Sequence, residues 1–316
     1  MRILITGGLG QLGNELSRCI STGRAEIGPI PASYADADVT CIDYHELDIS
    51  DEAAVDAWFS NYGPYDLIVN SAAITNVDGC EKDEEGAHRV NADAVGYLAR
   101  GAEGCGAKFV HISTDYVFPG TDPVPRTEDD QTGPISAYGR TKLDGEKAAF
   151  ANCSRTFVLR TAWLYGYVGK NFVKTMVGLG SKLDHVTVVD DQLGNPTSAN
   201  DLAYEILALA DTECYGLYHC TNEGTCSWAD FTEAIMEGSD RDCAVVRCSS
   251  AQYKENNPQS ADRPAYSSLE NRHLAQTIGN KMRPWKEALS TYLANMPALA
   301  KNPSWEELTQ PAKREG

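Results

Sequence analysis

No stretch of the 316 residues stays apolar for the roughly 18 positions that a membrane-spanning helix needs, so no membrane partner is expected. Basic residues are scarce: 27 Lys and Arg stand against 45 Asp and Glu, a net charge of -18. That balance argues against binding a nucleic-acid backbone, where affinity comes from neutralising phosphates. The ten cysteines form no Cys-x-x-Cys and the six histidines are dispersed, which excludes a zinc site of ordinary spacing. The thiols are expected to be reduced and packed, although Cys220 and Cys226 could approach one another. Internal repeats and low-complexity stretches are missing too. Met1-Arg2 leads straight into Ile3-Leu4-Ile5 and is interrupted at Gly7-Gly8, too short a run for a signal peptide, so a cytoplasmic protein is expected.

What is present is a chain long enough for one large or two unequal domains, with 42% hydrophobic residues to build a core. Arg2-Ile3-Leu4-Ile5-Thr6 reads as a buried strand, and a helix is expected from the following glycine loop to about Thr22. Between them Gly7, Gly10 and Gly13 are spaced G-x-x-G-x-x-G, a variant of the dinucleotide fingerprint. A tight turn, a close backbone approach and helix–strand packing each need a missing Cβ there, and a pyrophosphate rests on the helix N-terminus. Residues 24–37 read as a surface excursion. A strand around 39–42 ends at Asp43, where an acid accepts from the adenosine ribose hydroxyls. Asp48-Ile49, read as following a short strand, is a second candidate near the adenine.

Ser50 is expected to cap a helix through Tyr62. The strand 66–70 runs into Ser71-Ala72-Ala73, whose small side chains let a cofactor lie against the backbone. A long helix is expected over about 83–104, with Asn91 inside it and suited to bridge to the backbone. The strand 108–114 delivers Ser113, Thr114 and Asp115 to the carboxyl edge, where ligands bind in open α/β sheets. A loop over 119–134 follows, then a helix carrying Tyr138 and Lys142. Another strand covers 156–160. The alternation predicts a doubly wound parallel sheet of Rossmann type, with a smaller mixed α/β substrate lobe. The dinucleotide-binding domain is expected over 1–160 with a contribution from about 186–220, and the lobe over 161–185 and 221–316, ending in a polar tail at 300–316.

Ser136-Ala137-Tyr138-Gly139-Arg140-Thr141-Lys142 is the stretch with the most specific chemistry. Tyr138 and Lys142 are four residues apart and share a helix face, and Ser136 can cap that helix. A free phenol titrates near pH 10, and a neighbouring ammonium is expected to lower it toward acid–base use.

With these pieces in place the chain resembles the extended short-chain dehydrogenase/reductases, and among them the dTDP-4-dehydrorhamnose reductase family. The resemblance runs over nearly the whole chain. It rests on Gly7 to Gly13 with Gln11-Leu12, Leu47-Asp48-Ile49, Asn70-Ser71-Ala72-Ala73, Ser113 to Phe118, Tyr138 to Lys142, Trp163-Leu164-Tyr165-Gly166, Gly169-Lys170-Asn171-Phe172, Asp191-Gln192, Pro196-Thr197 and Arg263-Pro264.

The resemblance implies reduction of the C4 keto group of a dTDP-sugar with NADPH or NADH. Tyr138 would be the proton donor, Lys142 the ribose-binding partner, and Thr114 a hydrogen-bond donor to the same oxygen. Gly7, Gly10, Gln11, Leu12, Gly13, Asp43, Asp48, Ile49, Ala72, Ala73 and Asn91 would line the cofactor. Asp115, Tyr116 and Trp163 would shape the sugar pocket, with Asn171 and Arg263 toward the phosphates. A homodimer is a possible assembly. Some members hold magnesium between subunits; Glu15 matches one such acid, but Asn200 and Asn295 stand where others would be, so no metal is expected.

Two other classes compete. The regulatory β subunit of methionine adenosyltransferase retains the Tyr/Lys pair as a binding module, whereas the Trp163 block favours an enzyme. A different nucleotide-sugar reductase, epimerase or dehydratase is the other. A dehydratase wants Thr-Asp-Glu, and here Tyr116 follows Asp115.

Overall fold

A computed structural model describes the backbone of residues 1–299 and the side chains of 1–296; the polar tail expected at 300–316 lies outside the described residues. The chain opens with β1 (Arg2–Thr6), α1 (Gln11–Thr22), β2 (Asp38–Ile42), α2 (Glu52–Tyr62) and β3 (Leu67–Asn70). Then come α3 (Val77–Lys82), α4 (Glu84–His88), α5 (Ala94–Cys105), β4 (Lys108–Thr114), α6 (Ala137–Asn152) and β5 (Thr156–Thr161). The second half holds β6 (Leu164–Tyr165), α7 (Phe172–Gly180), β7 (His185–Val189), β8 (Leu193–Gly194), β9 (Thr197–Ser198), α8 (Ala199–Ala210) and β10 (Gly216–His219). It ends with β11 (Cys226–Ser227), α9 (Trp228–Gly238), β12 (Ala244–Cys248), α10 (Ser250–Asn256), α11 (Arg272–Thr277) and α12 (Trp285–Leu299).

Six strands form one sheet in the order β10-β5-β4-β3-β1-β2, every pairing parallel. Parallel strands need helical crossovers, which cover both faces and make the strands apolar throughout. Ile3, Ile5, Val110 and Leu159 pack on one face against α1 and α8, while Leu4, Ile68, Phe109 and Val158 pack on the other against α5. The chain reverses its direction of travel between β1 and β3, and a cleft opens at their carboxyl ends, as the switch-point rule requires.

The excursion over 24–37 is anchored rather than superficial. Tyr34 is 1% exposed, and its hydroxyl donates to the Leu207 carbonyl at 2.9 Å, tying the segment to α8. The helix expected from Ser50 is capped instead by Asp51, whose carboxylate accepts from the Ala54 N–H. Asp48 follows no strand; it accepts from the Ser50 N–H and hydroxyl, forming a turn. The long helix near 83–104 is interrupted by a π-helical turn, Arg89–Asp93, which carries Asn91.

α8 and β10 return to the main sheet, while β7 pairs with β12. A separate core is built from Tyr165, Phe231, Trp285 and Tyr292. All ten cysteines are free thiols, Cys220 and Cys226 among them. Among the described residues no helix is long and apolar enough to cross a membrane.

Candidate active site

Two cavities share the mouth of the cleft. One, of about 540 Å³, is lined by Thr6, Gly7 and Gly10 after β1, Ile42, Asp43 and Tyr44 after β2, Asp48-Ile49, and Ser71, Ala72 and Ala73 after β3. The glycines there answer to space. Gly7 has φ +68°, and a Cβ on it would stand 2.8 Å from the Ala72 nitrogen; one on Gly13 would stand 2.4 Å from the Gly7 carbonyl. A cradle this tight, opening onto the first turn of α1, suits a pyrophosphate.

The second cavity, about 460 Å³, is lined by Gly10, Gln11, Leu12, Ala73, Thr114, Asp115, Tyr138, Lys142 and Trp163. The Ser136 hydroxyl accepts from the Gly139 N–H at 3.1 Å and starts α6. Gly139 lets that helix abut the Tyr116 turn, since a Cβ would stand 2.2 Å from the Tyr116 carbonyl. Tyr138 and Lys142 therefore face the end of β4, with the Tyr116 ring edge-on to Tyr138 at 5.7 Å.

Burial pushes the Tyr138 phenol well above its ordinary range, partly opposed by a hydrogen bond with the Thr114 hydroxyl. Burial lowers Lys142 to about 8, with Glu146 opposing the shift. Its Nζ donates to the Ile112 carbonyl at 2.5 Å and lies 3.4 Å from His111 Nε2. The expectation that Lys142 draws the phenol down is thus corrected: desolvation dominates, and the amine is engaged on β4. Asp115 is buried, accepts from the Thr114 hydroxyl at 3.0 Å, and is pushed up to about 7 by desolvation against hydrogen bonds from Ser267 and Thr114.

Three of the expected contact residues are engaged within the protein. Asn91 is fully buried, its Oδ1 accepting from the Ile74 N–H and its Nδ2 donating to the Ile74 carbonyl and Thr141; it fixes the wall of the cleft rather than touching a cofactor. Asn171 caps α7, accepting from the Lys174 N–H and donating to Gln11 and Gly166, so its amide holds the Gln11 loop to the lobe instead of facing a phosphate. Arg263 pairs with Asp78 at 3.2 Å and lines a neighbouring cavity with Phe172, Trp228 and Tyr253.

Residues around the metal position of the resemblance do not fit a cation. Asn200 and Asn295 turn their N–H groups toward Glu15 and Glu26, and Arg18 and Arg283 pair with the same two carboxylates. Among the described residues no group of three or more His, Cys, Asp or Glu is arranged to hold a metal ion.

The sequence reading missed Glu146, Arg160, His111 and Trp228. Glu146 is one turn beyond Lys142 on the buried face of α6; it pairs with Arg160 at 2.7 Å and accepts from the Ser113 hydroxyl at 2.5 Å. A carboxylate on the face chosen by Tyr138 and Lys142 was the available signal, because a buried charge must be paired.

The model of the RmlD substrate binding domain matches residues 1–297. A dTDP-4-dehydrorhamnose reductase of Mycobacterium tuberculosis is 39% identical over 300 residues, covering 93% of this chain and 92% of that protein. The crystal structure of a dTDP-4-dehydrorhamnose reductase from Clostridium acetobutylicum superposes with a TM-score of 0.87 at 41% identity, covering 94% of this chain and all of that one. The Bacillus anthracis reductase, solved in complex with NADP, superposes with a TM-score of 0.85 at 35% identity, covering 93% and 99%. With this cleft, this sheet order and these matches, the chain belongs to the RmlD family, which includes dTDP-4-dehydrorhamnose reductases.

Proposed function

We propose that this chain reduces the C4 keto group of dTDP-4-dehydro-L-rhamnose with NADPH or NADH, giving dTDP-L-rhamnose in the cytoplasm as a precursor of cell-surface polysaccharide. The observation that carries the reading is one cavity lined at once by Gly10 of the glycine cradle and by Thr114, Tyr138, Lys142 and Trp163. The nicotinamide, when bound, supplies the hydride. Tyr138 donates its hydroxyl proton to the developing alkoxide, a step worth about 10²–10⁴ in rate. Its raised pKa suits this direction, because a buried phenol is fully protonated at neutral pH. The Thr114 hydroxyl turns its single proton from Asp115 to the same oxygen and stabilises the charge that builds there. Lys142 would hold the nicotinamide ribose, and Asp115, Tyr116 and Trp163 would orient the sugar.

The test is consumption of NADPH and of NADH by the purified chain with dTDP-4-dehydro-L-rhamnose. Turnover with product identified as dTDP-L-rhamnose supports the reading; no turnover with either cofactor rejects it.

A further inference from the structure

Three polar side chains stand side by side across three adjacent strands, on a sheet face otherwise built from Leu4, Ile68 and Phe109. Thr6 is the register partner of Asn70, and Asn70 is the register partner of His111. All three are buried, Asn70 and His111 completely. The Thr6 hydroxyl donates to Asn70 Oδ1 at 2.7 Å, and Asn70 Nδ2 lies 3.2 Å from His111 Nδ1. His111 Nε2 in turn lies 3.4 Å from Lys142 Nζ. A Cβ on Gly145 would come within 3.3 Å of that same ring nitrogen, so the backbone of α6 closes over it. The row thus runs from the wall of the first cavity, which Thr6 lines, to the amine in the second.

Counting donors fixes what each atom does. With Asn70 Oδ1 accepting from Thr6, its Nδ2–H donates to His111 Nδ1. A neutral imidazole without a proton on Nδ1 carries it on Nε2. That N–H faces Lys142, and only an uncharged amine has a lone pair to receive it. Turning the Asn70 amide over inverts every role: Nδ1–H donates to the amide oxygen, and the bare Nε2 accepts from an ammonium. Both arrangements pair the amide with the ring and the ring with the amine, and each fits one charge state of Lys142.

We propose that Asn70 and His111 form a tautomeric relay that matches itself to the charge of Lys142, which makes His111 a positioning residue for the proton-delivering pair. The proposal rests on reading Lys142 as the partner of Tyr138. Besides His111, Glu146 on α6 acts on Lys142, Tyr138 on α6 and Asp115 past the end of β4 share its cavity, Arg160 on β5 pairs with Glu146, and Cys80 on α3 acts on Tyr138. Glu146 is engaged by Arg160 and Ser113. Asp115 is engaged by Thr114. His111 is the group in contact with Nζ that can both donate and accept. Burial keeps its imidazole neutral while bringing Lys142 to about 8, so the lysine changes charge where the ring does not gain a second proton.

The experiment is nitrogen NMR of the full chain carrying labelled histidine, followed between about pH 6 and pH 10, the range that brackets the Lys142 titration. Six histidines are present, and loss of signals in His111→Phe assigns the pair in question; should that variant not fold, His111→Gln serves. The expected result is Nδ1–H at the low end and Nε2–H at the high end, with one midpoint near pH 8 that vanishes in Lys142→Met. Asn70→Asp, whose carboxylate only accepts, is expected to hold Nδ1–H throughout. A single tautomer over the whole range in the unaltered chain, a midpoint that persists in Lys142→Met, or switching in Asn70→Asp overturns the relay. None of these readouts requires turnover, so failure of the reductase assay and failure of the relay remain separate results.

Discussion

The indole of Trp163 lies flat on that of Trp228, ring centroids 3.6 Å apart and planes within 8°. Trp163 lines the cavity of Tyr138 while Trp228 lines the neighbouring cavity of about 380 Å³, so the stacked pair is the partition between them. Trp163 holds φ at +46°, a left-handed conformation that costs a bulky residue about 1–3 kcal/mol and persists only where its surroundings fix it. Here Trp228 covers one side, and Gly194 passes so near that a Cβ there would stand 2.7 Å from the indole. Trp228→Ala removes a stacking contribution of about 0.5–1.5 kcal/mol. The expected outcome is a KM for the sugar nucleotide raised roughly threefold to tenfold, with cofactor KM unchanged and Trp228→Phe largely restored. Steady-state kinetics on both variants check this, and a fall in kcat at constant KM would contradict it.

Tyr138→Phe removes the donor and little else, because the ring keeps its edge contact with Tyr116. Turnover is expected to fall by about two to four powers of ten, the worth of one general acid. Fluorescence titration with NADPH or NADH should return a Kd within about twofold of the unaltered chain, less than ~0.5 kcal/mol. A comparable loss in both quantities would show that the hydroxyl serves binding rather than proton transfer.

Much of this architecture was legible because period and punctuation agree locally. Short apolar strands stopped by glycine or small residues, alternating with helices, leave little choice but a parallel sheet with its cleft at the carboxyl edge. Ser136, Tyr138 and Lys142 were readable since a cap and an i, i+4 pair are local relations. What escaped the reading is non-local. Whether Asn91 faces a cofactor or the Ile74 backbone depends on a π-helical turn that no residue type announces. Tyr34 sits in a stretch rich in turn-forming residues, and its burial is decided by α8, more than 160 positions away. The direction of the Tyr138 shift turned on how deeply the phenol is buried, and composition carries no information about that.

Within the glycine loop, Gly13 has the least room. A methyl placed there would stand 2.4 Å from the Gly7 carbonyl and 2.8 Å from the Gly8 Cα, both backbone atoms that cannot turn aside. Gly13→Ala must therefore push α1 away from the glycine loop. Cofactor affinity is expected to weaken by at least about tenfold, 1.4 kcal/mol, with the sugar KM little changed. Isothermal titration of the variant against NADPH and NADH measures it; unaltered affinity would remove the cradle from the binding site.

Lys142 links activity and stability to pH in opposite senses. Its pKa in the folded chain is about 8, below the ordinary 10.5, so between those values the unfolded chain binds the proton more readily. The burial penalty is therefore full below pH 8 and is relieved as pH rises toward 10.5. The ammonium is the form that supports proton delivery, so kcat should fall roughly tenfold per unit above that pKa. Lys142→Met should raise Tm at pH near 7 and do so less near pH 10, read by thermal melts at the two values. Equal gains at both would mean the amine is not desolvated in the folded chain.

Cofactor choice is expected to turn on the end of β2. Asp43 accepts from the Leu9 N–H at 3.1 Å and the Tyr44 N–H at 2.8 Å, and its own N–H donates to Glu46 at 2.9 Å, which brings a second carboxylate to the same corner. A ribose with free hydroxyls can donate to this corner, whereas a 2′-phosphate meets two negative charges. Arg89, a cation that lines the same cavity, is paired with Glu85 at 3.1 Å. The Bacillus anthracis relative was solved with NADP, so the fold itself admits the phosphate. In this chain kcat/KM is expected to favour NADH over NADPH by about tenfold or more, and Asp43→Ser to narrow that ratio by a similar factor, each tenfold corresponding to ~1.4 kcal/mol. Loss of the carboxylate also frees the Leu9 N–H, so the variant should weaken NADH binding as it improves NADPH binding. Parallel assays with the two cofactors decide it, since an unaltered chain that prefers NADPH would mean the phosphate is received away from Asp43.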